Sequence, residues 1–147
     1  MDNQDEPEIG VLAGNFDIIH LGYIRLFKKL YDSCQSPFIL LHEDPSIERP
    51  EKLKPIHTIE ERIEMIKNHF PYSLVTFLVY NTEAELYTIL KALRPDVRVL
   101  GDDYVGNTTY TGVDLDIPVV YEDRSHGWST TKYKTMIAQS LNEQPKS

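Results

Sequence analysis

Two stretches far apart in this chain combine turns, helix starts and polar side chains at spacings suited to an anion site. The first is Gly14-Asn15-Phe16-Asp17-Ile18-Ile19-His20-Leu21-Gly22-Tyr23, which follows the apolar run Ile9–Ala13 and opens an amphipathic segment. A buried strand that breaks at a glycine and restarts as a helix leaves unpaired backbone N–H groups at the helix start. The helix dipole adds positive potential there. His20 and Tyr23 stand three residues apart, so both project from one face of the first turn. Gly14 and Gly22 permit either close approach of the backbone to a phosphate or close packing of helix on sheet. The second stretch is Arg124-Ser125-His126-Gly127-Trp128-Ser129-Thr130-Thr131. Gly127 allows a tight turn, and Ser129 or Thr130 can cap the helix that follows. Arg124 supplies a permanent cation whose fork matches phosphate oxygens. Both stretches read as anion sites.

The elements that must position these residues are visible in the hydrophobic pattern. Apolar runs suited to buried strands recur at Ile9–Ala13, Phe38–His42, Leu74–Val79, Val97–Leu100 and Val119–Tyr121. Helical stripes lie between them: Ile24, Phe27, Leu30 and Tyr31; then Ile59, Ile63, Ile66 and Phe70; then Leu86, Ile89, Leu90 and Leu93, ending before Pro95. Thr58 with Glu61, and Thr82 with Glu85, are capping-box signatures. A last helix from about Ser129 carries Tyr133, Ile137 and Leu141. This alternation predicts an α/β fold, a doubly wound parallel five-stranded sheet in a single domain. Ligands of such sheets sit beyond the carboxyl ends of the strands, at a topological switch point. Strands ending at Ala13 and Leu100 deliver the loops Gly14–Tyr23 and Gly101–Gly112 to that edge. Glu43–His57, with three prolines and two lysines, reads as a loop ordered on demand. The expected organisation is a flexible acidic N-terminus over 1–8, the domain over 9–141 and a C-terminal tail over 142–147.

Gly14–Tyr23 resembles the G-x-F-D-x-x-H-x-G-H signature of the cytidylyltransferase-like nucleotidyltransferases, with Tyr23 where that family usually has its second histidine. Arg124–Thr131 resembles the R-T-x-G-x-S-T-T motif of glycerol-3-phosphate cytidylyltransferases. Gly101-Asp102-Asp103-Tyr104-Val105-Gly106 looks like the G-D-D-W-x-G element beside the base pocket. His57-Thr58-Ile59-Glu60-Glu61-Arg62 is similar to a helix-opening segment with a phosphate-side arginine. The four matches fall in family order over about residues 9 to 134.

The resemblance implies a Rossmann-like fold of the HUP type. It implies transfer of CMP from CTP to a small phosphorylated alcohol, glycerol 3-phosphate-like, with release of pyrophosphate. It also implies Mg²⁺ with the CTP, and a homodimer. In that setting His20, Tyr23, Lys54 and Arg124 are the expected catalytic residues. Gly14, Asn15, Phe16, Asp17, Gly22, Asp103, Arg124, Gly127, Ser129 and Thr130 are expected to bind the nucleotide, and Lys52 and Arg62 the acceptor substrate. Asp17 either orients its loop or helps to hold Mg²⁺. Trp128 either stacks on the base or plugs the last helix.

Tyr23 departs from the pattern in a way that matters physically. A phenol titrates near pH 10, so it donates a hydrogen bond without a positive charge. Exchanging a charged donor for a neutral one costs about 1–2 kcal/mol, near tenfold in rate. If Tyr23 points elsewhere, His126 or a lysine takes its place. Two rival readings follow: a sugar-phosphate adenylyltransferase of the same superfamily, and a nucleotide-binding module without catalysis.

Composition bounds the remaining classes. The 147 residues, 41% hydrophobic and 26% charged, fit one soluble globular domain. A net charge of -8 argues against nucleic acid or anionic membrane as a partner, though not against a nucleotide. No apolar run approaches the roughly 18 residues that span a bilayer. The lone Cys34 excludes an internal disulfide and fits a cytoplasmic location. His42, His57 and His69 lack metal-site spacing, and no protein-held metal is expected.

Overall fold

The computed structural model describes residues 7–143. The acidic residues 1–6 and the last four of the expected tail lie outside the described residues. The chain runs β1 (Ile9–Gly14), α1 (Leu21–Ser33), β2 (Ser36–His42), α2 (Pro45–Glu48), α3 (Ile59–Lys67), β3 (Thr76–Tyr80), α4 (Glu83–Leu93), β4 (Val97–Gly101), β5 (Val119–Glu122) and α5 (Thr130–Glu143). All strand pairs are parallel, in the order β3-β2-β1-β4-β5. The chain winds outward from β1 through β2 to β3, then crosses back to place β4 and β5 on the other side of β1. The switch point is therefore the β1–β4 junction.

Strand alternation sorts the core into two layers. Leu12, Ile39, Leu41, Val97 and Val99 pack against Leu26, Phe27 and Leu30 of α1 and Ile66 of α3. Val11, Leu40 and Tyr80 face the other way, against Leu86 and Leu90 of α4. Each of the five apolar runs becomes a strand, with ends shifted by at most two residues.

The Glu43–His57 segment departs from the expectation of an uninterrupted loop. Asp44 accepts hydrogen bonds from the Ser46 N–H and hydroxyl, and Pro45 pre-sets the first helical φ, so α2 forms within it. The stripe on α5 differs too. Its first turn docks on α1 through Thr130 and Tyr133, but Ile137 and Leu141 stay 56% and 70% exposed. Among the described residues no helix is long and apolar enough to cross a membrane.

Candidate active site

The start of α1 is open. His20 occupies the N-cap position in extended conformation, its side chain makes no cap hydrogen bond, and no acidic residue stands in the first turn. The N–H groups of that turn therefore face outward with the helix dipole behind them. Gly14 precedes it, and Phe16 adopts φ +47 so that its ring folds back over Gly14. A Cβ on Gly14 would meet that ring at 2.9 Å, so here glycine serves close packing.

The start of α5 comes to meet it. Gly127, at φ +73, turns the chain, and Ser129 Oγ accepts from Lys132 N at 3.0 Å as a cap. A 2.8 Å hydrogen bond joins the hydroxyls of buried Thr130 and Tyr23. His20 stacks between Tyr23, with centroids 3.9 Å apart, and Tyr133, at 5.5 Å. Two helix starts separated by more than a hundred residues thus form one surface.

Unpaired donors gather around Gly22. A Cβ there would lie 2.9 Å from His20 Cε1 and 3.0 Å from His126 Cε1, so glycine lets the two imidazoles approach. His126 Nδ1 accepts from Trp128 N at 2.9 Å, which places the ring proton on Nε2 in the neutral tautomer. That Nε2 is buried without a partner, as are both ring nitrogens of His20 and Nε of Arg124. Burial, followed by the nearby Arg124 and His126, pushes the His20 pKa down to about 4. Burial likewise raises the Tyr23 phenol above its ordinary value. Near neutral pH and without ligand, both rings are uncharged. Trp128 stacks on His126 at 4.4 Å and lies under the Arg25 guanidinium at 5.0 Å, so its ring is held within the protein.

Asp17 and Arg62 turn out to be structural clamps. Asp17 is fully buried; its oxygens accept from Ile56 N and His57 N, both at 2.8 Å, and from Lys134 Nζ at 2.9 Å. Burial alone would raise its pKa, but these donors outweigh that and lower it. These bonds tie the Asp17 loop to the segment before α3 and to α5. Arg62, 2% exposed, donates from Nε to the carbonyl of His57, from Nη1 to those of Asn15 and His42, and from Nη2 to that of Glu43. Arg62, expected to bind the acceptor substrate, here has its guanidinium stapling three loops to the sheet edge.

A cleft of about 710 Å³ opens over the ends of β1 and β4, at the switch point. Gly14, Asn15, Phe16, Tyr23, Lys52, Asp103 and Arg124 line it. His20 stacks on Tyr23 and Thr130 bonds the Tyr23 hydroxyl, while His20, Gly22, Gly127, Ser129 and Thr130 are not themselves among the lining residues. Lys54 is not among the lining residues; its carbonyl accepts from Lys134 Nζ. Sequence reasoning missed Lys134, and on the α4 side it missed Tyr80, Glu83, Arg98 and Thr111, which also line the cleft. An arginine inside the apolar run of β4 was the available signal. Among the described residues no group of three or more His, Cys, Asp or Glu side chains could hold a metal.

Comparison with known proteins agrees with this geometry. The model of the cytidylyltransferase-like family matches residues 11–136. The bifunctional protein HldE of Helicobacter hepaticus is 33% identical over 136 residues, covering 92% of this chain and 27% of that protein. The FAD synthase of Methanohalophilus mahii is 32% identical over 93 residues, covering 63% of this chain and 62% of the relative. The chain thus spans about a quarter of the length of the HldE relative. Among solved structures, Plasmodium falciparum nicotinic acid mononucleotide adenylyltransferase complexed with NaAD superposes with a TM-score of 0.60. That pair is 14% identical, covering 87% of this chain and 70% of the other. The lipopolysaccharide core biosynthesis protein from Thermoplasma volcanium gives 0.57 at 19% identity, covering 78% and 95%. With its two helix starts joined at the switch point and a family match over most of its length, the chain belongs to the cytidylyltransferase-like family of nucleotidyltransferases.

Proposed function

We propose that this protein transfers CMP from CTP to a small phosphorylated alcohol or sugar phosphate, releasing pyrophosphate. The observation that carries the reading is the meeting, behind the Tyr23 wall of the cleft, of an uncapped α1 start with buried, unpartnered nitrogens of His20 and His126, with Arg124 on the cleft lining. An oxygen of the acceptor phosphate attacks the α-phosphorus. The bond from that phosphorus to the bridging oxygen breaks, and the electron pair leaves with pyrophosphate. The work of the protein is positioning and charge stabilisation.

The N–H groups of α1 and the His20 imidazole receive the phosphate oxygens, and Arg124 adds fixed charge. Tyr23 donates a neutral hydrogen bond, while His126 supplies the imidazole donor that Tyr23 lacks. Lys52, on the rim of the cleft, faces the acceptor. A Mg²⁺ ion bound to the triphosphate would offset its charge, with no side chain of this chain needed to hold it. The Arg124-x-x-Gly127-x-Ser129-Thr130-Thr131 pattern supports CTP as the nucleotide. ATP is the second reading, supported by the fold shared with a nicotinic acid mononucleotide adenylyltransferase and by an FAD synthase among the relatives.

Thermal stabilisation by CTP and by ATP, followed by pyrophosphate release with a panel of phosphorylated alcohols and sugars, tests the proposal. Stabilisation by CTP with release from at least one acceptor is expected. Release with ATP alone makes the protein an adenylyltransferase. Stabilisation without any release makes it a binding module. Within the active protein, His126→Gln should slow turnover more than Tyr23→Phe, which should cost up to about tenfold through loss of one neutral hydrogen bond. Equal rates for His126→Gln and wild type would return the second donor role to Tyr23.

A further inference from the structure

The half of the cleft that faces α4 holds a charge with no counter-charge. Arg98 sits in β4, in register between Val11 of β1 and Val119 of β5. Its neighbours Val97 and Val99 pack into the α1 layer, so Arg98 points to the opposite face, where it lines the cleft. It is 5% exposed. Nη1 donates to the Thr111 carbonyl, while Nε is buried without a partner. Among the described residues no carboxylate stands within ion-pair distance of the guanidinium. Its surroundings are phenols: Tyr110 lies under it at 5.3 Å, and Tyr80 and Tyr104 complete the wall. Glu83 is the nearest acid to act on it, but its two oxygens already accept from Thr111 Oγ1 at 2.7 Å and Arg49 Nη2 at 3.4 Å.

A buried, unneutralised cation is costly to a protein unless a ligand completes it. The side chain retains its Nε–Nη2 edge, which presents two parallel N–H donors, the geometry that a planar carboxylate accepts. Glu83 beside it disfavours a dianion more than a monoanion. The phenols and the Glu83–Thr111 pair suit a hydroxylated carbon skeleton. We infer that the α4 side of the cleft binds an acceptor carrying a carboxylate at the end remote from its reacting phosphate, and that Arg98 reads that carboxylate. The acceptor is then a phosphorylated sugar acid or polyol acid. This inference rests on the nucleotidyl-transfer reading above and narrows its substrate class.

The test uses matched pairs that differ by one carboxylate in place of a terminal CH₂OH: 3-phosphoglycerate against glycerol 3-phosphate, and 6-phosphogluconate against sorbitol 6-phosphate. Each is assayed with saturating CTP or ATP in wild type, Arg98→Met and Arg98→Lys, and the melting temperature of each ligand-free protein is recorded. Wild type should prefer the carboxylate member of at least one pair by about tenfold in KM, the scale of one charge-assisted pair. Arg98→Met should erase that preference with kcat and nucleotide affinity nearly unchanged, and its ligand-free melting temperature should hold or rise. Arg98→Lys should retain only part of the preference.

A wild type that binds nucleotide and shows no preference in either pair overturns the inference and leaves the proposed function standing. Equal weakening of nucleotide and acceptor in Arg98→Met also overturns it, by moving Arg98 to the nucleotide half. If Arg98→Met melts several degrees lower or does not fold, and Arg98→Lys keeps the full preference, Arg98 is structural only. Failure of wild type to bind either nucleotide removes the reading on which the inference depends, and the inference with it.

Discussion

Helices α1 and α3 both begin beside the Gly14–Asp17 loop, and they treat their free N–H groups in opposite ways. At α3 the Thr58 hydroxyl accepts from Glu61 N, the Glu61 carboxylate accepts from Thr58 N, and Glu60 adds a second acid to the first turn. That start is closed by its own side chains. At α1 there is no cap hydrogen bond and no acid. The same contrast runs through the two arginines expected near phosphate. Arg62, on α3, gives all three of its nitrogens to backbone carbonyls, while Arg124 gives Nη2 to the Trp128 carbonyl and keeps Nε without a partner. A helix start sealed by the chain stabilises the fold. One left open forgoes that stabilisation and remains available to an anion.

The comparison breaks first at His20. Its removal in His20→Ala should lower turnover by at least about 10²-fold, as for loss of one preorganised donor, with a smaller loss of nucleotide affinity. Full pyrophosphate release by that variant would take catalysis away from the α1 start. Next come the arginines. Arg62→Met should cost about 3 kcal/mol of stability in a denaturant melt, because several buried carbonyls lose their donor. Arg124→Lys should leave the ligand-free melting temperature almost unchanged and weaken nucleotide binding about tenfold, since a lysine cannot reproduce the fork. The reverse pattern would exchange their roles.

Protonation sharpens the same contrast. His20 is held at a pKa of about 4, first by burial and then by Arg124 and His126, against 6.5 for an unperturbed histidine. The unfolded chain therefore takes up the proton first. Stability is complete above pH 6.5 and is lost as pH falls toward 4. Melting temperatures of wild type should fall more steeply than those of His20→Gln across that window; parallel curves would mean that His20 is not kept neutral by the fold.

The smallest effects concern the helix starts themselves. Thr58→Ala should cost about 1 kcal/mol of stability and leave turnover intact. Leu21→Glu, at an exposed position in the first turn of α1, should stabilise the ligand-free protein by about 0.3–1 kcal/mol while weakening nucleotide binding. Tighter nucleotide binding by Leu21→Glu would mean that the anion sits elsewhere.

Features that depend on near neighbours and on period can be read from the residues alone. Alternating and 3.6-period apolar residues place the five strands and α1, α3 and α4, whose apolar faces are buried, and also α5, whose stripe stays largely exposed. Thr58 and Glu61 cap α3 as their spacing requires, whereas Thr82 completes only half of its box, the Glu85 carboxylate reaching Asn81 N instead. Gly127 takes the positive φ that a tight turn needs. The starts of α1 and α5, which the residues mark as candidate anion sites, were legible for the same reason.

The partner that each polar side chain meets depends instead on how distant segments come together. Arg62 is an arginine on a helix start whether it faces a phosphate or carbonyls contributed by Asn15, His42 and Glu43. Its acceptors come from loops up to 47 residues away. Asp17 is engaged by residues about 40 positions downstream and by Lys134, His126 reaches Gly22 from the far end of the chain, and Arg98 is turned into the cleft by the pleat of β4. A hydrogen-bonding group declares its type in the sequence, but its role is set by the groups that loop closure and sheet order bring within 3 Å of it.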